Sequence, residues 1–359
     1  RWKAGLIQGL RRGGKRTHQV VKKMKCMCWK NIENKDQVNQ KSSLRGLIVL
    51  LTMFSMSVQA QQLPQFSQYI FNGLHINPAY AGYKGDGYIQ TSYRSQWINF
   101  PGAPQTLSFT ADVSANEGRM GLGVTYLKDK IGLTESNLGM LTYSYRISTG
   151  DRSMLSLGVS AGISEYAFDP TGMVTVKPDP LLPSSRVAAT TPNMNTGLFY
   201  HSDNFYAGLS AYNLIGRRAL LRQDIAVAFH DFHYYLTFGG LVRLADDVQL
   251  KPSVLVKHVK GSPTSYDLNA MFLFQERVWL GGSFRSNVRV FEDQLQEDLS
   301  KRNAVALVME YFVLPSMRIG YAYDYNLNAL NSYRTESHEL SVGVYLNRQR
   351  KIIYNPRWF

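Results

Sequence analysis

From Leu155 to Ser164 apolar and small polar residues alternate without a break: Leu155, Leu157, Val159, Ala161 and Ile163 against Ser156, Gly158, Ser160, Gly162 and Ser164. Side chains of an extended strand point to opposite faces with a period of two, so this stretch predicts a strand with one greasy and one small polar face. Glycine and serine, and the lack of a 3.6-residue stripe, argue against a helix. The same alternation recurs along the chain. Met120, Leu122, Val124 and Tyr126 oppose Gly121, Gly123 and Thr125. Ile319, Tyr321, Tyr323 and Tyr325 oppose Gly320, Ala322, Asp324 and Asn326, and Leu340, Val342, Val344 and Leu346 oppose Glu339, Ser341, Gly343 and Tyr345.

Read this way, residues 86–346 predict about fourteen strands: 87–97, 106–115, 120–129, 135–148, 153–168, 193–201, 205–213, 234–244, 248–260, 265–274, 277–285, 304–313, 317–326 and 337–346. Every second connection is very short (116–119, 149–152, 202–204, 245–247, 275–276 and 314–316), while 98–105, 169–192, 214–233, 286–303 and 327–336 are longer. The short connections 130–134 and 261–264 fall on the long side. A soluble sandwich has no reason to gather its tight turns at one end. A transmembrane antiparallel β-barrel of the outer membrane does, with short periplasmic turns and longer outer loops. Lipid offers the backbone no hydrogen-bond partner, so a spanning sheet must close on itself. An even strand number places both barrel ends on the periplasmic side. Tyr143, Tyr145, Tyr166, Tyr206, Tyr311, Tyr321 and Tyr323 suit girdles at the membrane interfaces.

Charge does not alter this picture once it is located. The formal net charge is +14. Thirteen of the 40 Lys and Arg precede Gln61, against two of the 26 acids, so residues 61–359 hold 27 basic and 24 acidic groups. A nucleic-acid partner loses its main support. The basic leader, 1–60, reads as an N-terminal extension and signal peptide: Lys41 and Arg45, the apolar run 46–54, then Val58-Gln59-Ala60, with cleavage expected after Ala60. Leu47 to Val58 is short for a membrane anchor. Both cysteines, Cys26 and Cys28, lie in this leader, so the exported body has neither disulfide nor cysteine-bound metal.

Catalytic chemistry is hard to assemble. His230-Asp231-Phe232-His233 approaches metal-ligand spacing with no clear third ligand. Ser337-His338-Glu339 has the residue types of a hydrolase triad, but neighbours on a strand face opposite ways. Gly121-Leu122-Gly123 lacks the strand-turn-helix setting of a phosphate loop. No enzyme, cofactor or metal is expected. Loop charges (Glu292, Asp293, Glu297, Asp298, Lys301 and Arg302; Arg217, Arg218 and Arg222) read as solvated faces or as a docking surface for a partner.

Two segments flank the barrel. Residues 61–85, with Phe66, Tyr69, Phe71, Tyr80 and Tyr83, read as an extended N-terminal arm packed on the first strands, or else as a plug or a periplasmic contact. Residues 347–359 read as a periplasmic C-terminal tail ending in Pro356-Arg357-Trp358-Phe359. Phe359 resembles a terminal insertion signal but stands well past the last strand.

In order along the chain come Phe66-Ser67-Gln68-Tyr69, Asn77-Pro78-Ala79-Tyr80-Ala81-Gly82, Tyr93-Arg94-Ser95-Gln96-Trp97, Gly102-Ala103-Pro104-Gln105-Thr106, Gly121-Leu122-Gly123, Lys128-Asp129-Lys130-Ile131-Gly132 and Ser337-His338-Glu339-Leu340-Ser341. With the terminal Pro-Arg-Trp-Phe they resemble the PorP/SprF family of type IX secretion system outer-membrane proteins of Bacteroidota, over essentially all of 64–359. The resemblance implies a non-enzymatic part in export or surface anchoring of secreted proteins such as gliding adhesins. It also implies outer-membrane lipid, other periplasmic and outer-membrane secretion components, and a secreted client as partners. The residues that carry it (Phe66, Gln68, Tyr69, Asn77, Pro78, Tyr80, Arg94, Gln96, Trp97, Pro356, Arg357, Trp358 and Phe359) become the candidates for partner contact, the arm and tail on the periplasmic side and the long loops toward a client. A diffusion channel or hydrophobic-substrate transporter is the alternative, because glycine and serine need not fill the lumen.

Overall fold

The computed structural model describes residues 63–85, 87–172, 185–215, 231–290, 302–328 and 336–346. The segment expected as leader with its expected cleavage after Ala60, the tail with Pro356–Phe359, and the loop charges at 217–222 and 292–301 lie outside these residues.

Fourteen antiparallel staves form one closed sheet. They are β1 (Gly87–Ser95), β2 (Gln105–Ala115), β3 (Met120–Ile131), β4 (Thr134–Gly150), β5 (Ser153–Phe168), β6 (Val187–His201), β7 (Phe205–Tyr212), β8 (His233–Gly240) with its continuation β9 (Val242–Ala245), β10 (Val248–Val259), β11 (Thr264–Phe274), β12 (Val278–Val288), β13 (Arg302–Leu314), β14 (Met317–Asn326) and β15 (Ser337–Leu346). Each stave pairs with its neighbours in sequence. β15 closes on β1 from Gly87↔Leu346 to Ser95↔His338, which leaves no sheet edge toward lipid.

The predicted faces are the observed ones. Leu157, Val159 and Ile163 are 42, 44 and 60% exposed on the outer surface, while Ser156, Ser160 and Ser164 are 0, 5 and 2% exposed inside. The tight turns share one end. At two of them, Glu117-Gly118 and Gln275-Glu276, both central residues take positive φ, and Arg119 N and Arg277 N close the turns on Asn116 O and Phe274 O. That geometry matches the right-handed twist of the strands it joins.

Three expectations are corrected. The stave expected as 234–244 is broken: after Gly239 and Gly240 the amide of Leu241 leaves the ladder and bonds to Asn204 O at 3.0 Å. The loop expected at 169–192 is shorter, because 187–192 pair with 163–168 and lengthen β6. The resulting β4, β5 and β6, of 17, 16 and 15 residues, exceed the roughly 9–11 needed for a tilted crossing. Finally, Tyr166 and Tyr206 face the lumen, so they belong to no membrane girdle; Tyr143, Tyr145, Tyr311 and Tyr321 do face outward.

The hydrophobic core lies inside the barrel. Phe66, Tyr69, Ile70, Phe71 and Ile76 of the N-terminal arm pack on inward-facing Leu127, Tyr235, Leu255, Met271 and Trp279.

Candidate functional site

The arm fills much of the lumen of this barrel. It is not an extended strand laid on the first staves. Three short 3₁₀ turns, Gln68–Phe71, Gly73–His75 and Pro78–Tyr80, fold it into the lumen. Its pattern has neither the two- nor the 3.6-residue period, so it offers no regular face to a sheet or a helix partner. Compact turns instead let apolar side chains radiate toward different staves.

The arm runs from the long-loop mouth to the short-turn end. At its start the Leu63 amide donates to His233 Nε2 at 3.0 Å, at the mouth below the loop that follows β7. At its end Gly82 N donates to Asp112 Oδ2 at 2.7 Å, and Arg146 bridges Ala81 O and Gly118 O of a short turn. An even strand number does bring Gly87 and Leu346 together at the short-turn end. The arm then doubles back through the lumen, so Leu63 stands at the opposite mouth.

Glycines provide its seat. A Cβ at Gly158 would overlap the backbone of Pro78 and Ala79, one at Gly197 the Asn77 side chain, and one at Gly320 the Gln68 amide. The alternation of Gly and Ser with apolar residues therefore serves two purposes. The outer set meets lipid, and the small inner set leaves room for the arm.

Buried charges hold it on two levels. In the half toward the long loops, Arg94 pairs with Asp324 at 2.5 Å and with Glu339 at 3.1 Å. Ser67 joins this cluster: its hydroxyl donates to Asp324 at 2.7 Å and its amide to Glu339 at 2.7 Å. Gln68 Nε2 donates to Glu339 O and Ser341 Oγ donates to Gln68 Oε1. Beside them Asp267 holds Arg285 and Lys257, at 3.0 and 3.1 Å. Asn269 on the same strand donates to Tyr69 OH at 2.6 Å.

In the other half the cations meet the arm backbone. Lys251 Nζ donates to Ile70 O at 3.1 Å. Lys84 Nζ and Arg318 Nη2 both donate to Phe71 O, at 2.9 and 2.8 Å. These carbonyls end the first 3₁₀ turn, where unsatisfied C=O groups concentrate partial negative charge. Arg318 is further fixed by Glu310 at 2.8 Å and by the Tyr88 hydroxyl. Lys84 Nζ also lies 3.3 Å from the Tyr88 ring centroid. Such charges are tolerated inside a protein because Arg318 is paired with Glu310 and both lysines donate to backbone carbonyls.

The remaining arm contacts complete the circumference. Asn72 donates to Thr110 on β2 at 2.8 Å, Asn77 to Leu198 O on β6 at 2.8 Å, and Ser210 on β7 to Ile76 O at 2.5 Å. Tyr80 packs on Phe199 with ring centroids 4.0 Å apart and the planes tilted by 32°. His75 stacks on Phe66 at 4.6 Å.

Of the residues expected to touch a partner, Phe66, Gln68, Tyr69, Asn77, Pro78 and Arg94 are buried against the lumen wall, and Tyr80 packs beside them. Their chemistry is directed inward. Gln96 and Trp97 lie at the long-loop mouth and are partly exposed. The lumenal carboxylates Asp324, Glu339, Asp267 and Glu310, and the cations Lys84, Lys251 and Arg318, were not legible as site residues. Their only signal was a charge on the small polar face of a strand, or in the arm. His233, half of the metal-like pair, accepts from the arm and contacts Asp231 O through Nδ1 at 2.8 Å; His230 lies outside the described residues. Among the described residues no cluster of metal-ligating side chains occurs. His338 points outward to Tyr321 OH while Glu339 points inward, so no triad forms.

A closed antiparallel barrel with an apolar exterior, one end of tight turns and an internal plug defines an outer-membrane β-barrel protein. A family model for type IX secretion system membrane protein PorP/SprF matches residues 58–344, and the chain belongs to that family. It is a type IX secretion system outer-membrane barrel.

Among solved structures the chain is similar to the Acinetobacter baumannii outer membrane protein Omp33, with 9% identity over 73% of this chain and 98% of that one (TM-score 0.43). It is also similar to a Pseudomonas aeruginosa FadL homologue, with 12% identity over 78% and 94% (TM-score 0.41). The Ralstonia pickettii toluene transporter TbuX is similar at 9% identity over 76% and 92% (TM-score 0.43). No curated protein sequence matches the chain significantly.

Proposed function

We propose that this protein is a plugged, non-enzymatic scaffold of the type IX system, one that supports export or surface anchoring of secreted proteins through its surfaces rather than through its pore. The observation that supports this most is the arm, whose hydrogen bonds and packing reach strands around the lumen. A client that crossed the membrane here would have to displace all of it. Export with cleavage after Ala60 brings the chain to the periplasm for assembly. The long loops then face a secreted client, such as a gliding adhesin of a Bacteroidota cell. The short turns and the tail with Pro356, Arg357, Trp358 and Phe359 face periplasmic secretion components.

The test is deletion of the gene together with any paralogues, followed by measurement of surface-exposed type IX clients. Loss of export or retention is expected; unchanged display of every client overturns the reading. The channel alternative is separated by single-channel recording on the purified barrel. A silent barrel accords with the scaffold, and a steady open pore favours diffusion. The small lumenal residues no longer favour a channel, since Gly158, Gly197 and Gly320 are occupied by the arm.

A further inference from the structure

The segments Arg94-Ser95-Gln96-Trp97 and Gly102-Ala103-Pro104 stand out in the sequence, and holding the arm uses only Arg94. The structure brings their ends together. Gln96 N bonds to Pro104 O at 2.9 Å, and Arg94, Gln96, Trp97 and Pro104 all line one cavity of about 410 Å³ at the long-loop mouth. Its floor is the start of the arm, Leu63 to Gln65. We propose that this vestibule is a binding site for a neutral carbohydrate.

Three observations carry the proposal. First, Trp97 is held at φ 49°, a left-handed conformation that a bulky residue rarely adopts, with its amide on Ser337 Oγ at 3.3 Å. Backbone strain of this kind persists where surroundings impose it and concentrates at ligand clamps. Here it keeps the partly exposed Trp97 on the wall of a cavity lined by both polar and apolar side chains. An indole face packs well against the C–H face of a sugar ring.

Second, Arg94 is only 3% exposed, and its Nη atoms are committed to Asp324, Glu339 and Ser67, yet its buried Nε has no hydrogen-bond partner. A buried donor without an acceptor is costly and calls for one. Asp129 supplies the opposite need. Its Oδ1 accepts from Thr106 at 2.6 Å, leaving further acceptor capacity on a residue that also lines the cavity.

Third, the charges of the lining cancel. Arg94 and Arg285 are balanced by Asp129 and Asp324, and the other polar groups are amides and hydroxyls. An ionic ligand of either sign would meet as much repulsion as attraction. A wholly apolar ligand would leave the amides, hydroxyls and charges of the lining without partners. A hydroxyl both donates and accepts, so a polyol satisfies donors and acceptors together. The volume falls within the range of about 300–1,000 Å³ common for small-ligand sites.

The experiment uses the full barrel in a detergent without a sugar headgroup. Calorimetric titrations would use maltose, lactose, cellobiose and N,N′-diacetylchitobiose, together with neutral O-antigen oligosaccharide from lipopolysaccharide. Saturable binding of at least one is expected, weakened at least tenfold by Trp97→Ala and by Asp129→Asn and less by Trp97→Phe. The disaccharide and lipopolysaccharide arms distinguish a soluble source from a membrane one. Heat-modifiable migration on gels confirms that each variant is folded. No saccharide binding by the folded wild type overturns the proposal. So does binding indifferent to both substitutions, or saturable binding of short charged peptides in place of sugars.

Discussion

Arg318 on β14 donates to the carbonyl of Phe71 in the arm at 2.8 Å, across 247 residues of sequence. The same guanidinium pairs with Glu310 at 2.8 Å, and both side chains are fully buried. The contact joins the plug to the wall and neutralises a carboxylate in the lumen. Removing the cation leaves Glu310 buried beside two lysines that serve other acceptors. Arg318→Met should therefore destabilise the plugged barrel by about 3–5 kcal/mol, the usual result of breaking a buried pair. Adding Glu310→Met should recover much of this loss. Denaturant unfolding of the purified barrel, followed by gel mobility, checks both outcomes.

Gly158 and Gly197 test whether the small lumenal face exists for the arm. Gly158→Val places side-chain atoms where Pro78 and Ala79 now lie. The outer face is untouched, so the barrel should still insert. The arm should be displaced, which limited proteolysis of residues 63–85 and an increase in conductance would report. A silent barrel with a protected arm would show that the seat tolerates the side chain.

Val159 and Ser160 separate the two faces of one strand. Val159→Arg puts a charge on the lipid face and should impair insertion by about 2–4 kcal/mol at the midplane. Ser160 instead bonds Thr142 Oγ1 at 2.8 Å inside the barrel. Ser160→Arg should leave insertion largely intact and disturb the arm. Insertion measured by folding into lipid vesicles, with arm protease protection measured alongside, resolves the pair.

Leu63 reports the direction of the arm. Residues 61–359 contain no cysteine, so a single introduced thiol is unambiguous. Leu63→Cys in intact cells should react with a membrane-impermeant maleimide from outside. Asp203→Cys, in a short turn, should react only after the outer membrane is opened. The reverse pattern would invert the orientation assigned here.

The alternation that marked 155–164 as a strand was enough to set its faces, because side-chain direction in an extended chain is a local property of covalent geometry. The same reasoning located fourteen staves and the side on which the tight turns lie. Closure followed, since lipid cannot satisfy a free edge. It failed in detail where pairing overrides pattern: at Leu241, which leaves the ladder for Asn204 O, and at 187–192, which zip onto β5.

The arm is different in kind. Nothing local in Phe66-Ser67-Gln68-Tyr69 specifies that Ser67 will meet Asp324 and Glu339, which lie 257 and 272 residues away. Nor does the glycine at 158 say whether it leaves a pore open or receives Pro78 and Ala79. Those relationships arise only when the sheet closes and brings every inward face around one axis. The chain alone therefore determined a membrane barrel, strand by strand, from its period of two. The tertiary structure decided that the barrel is plugged and which charges hold the plug. It also carried the arm to the opposite mouth, because those contacts depend on distances that exist only after closure.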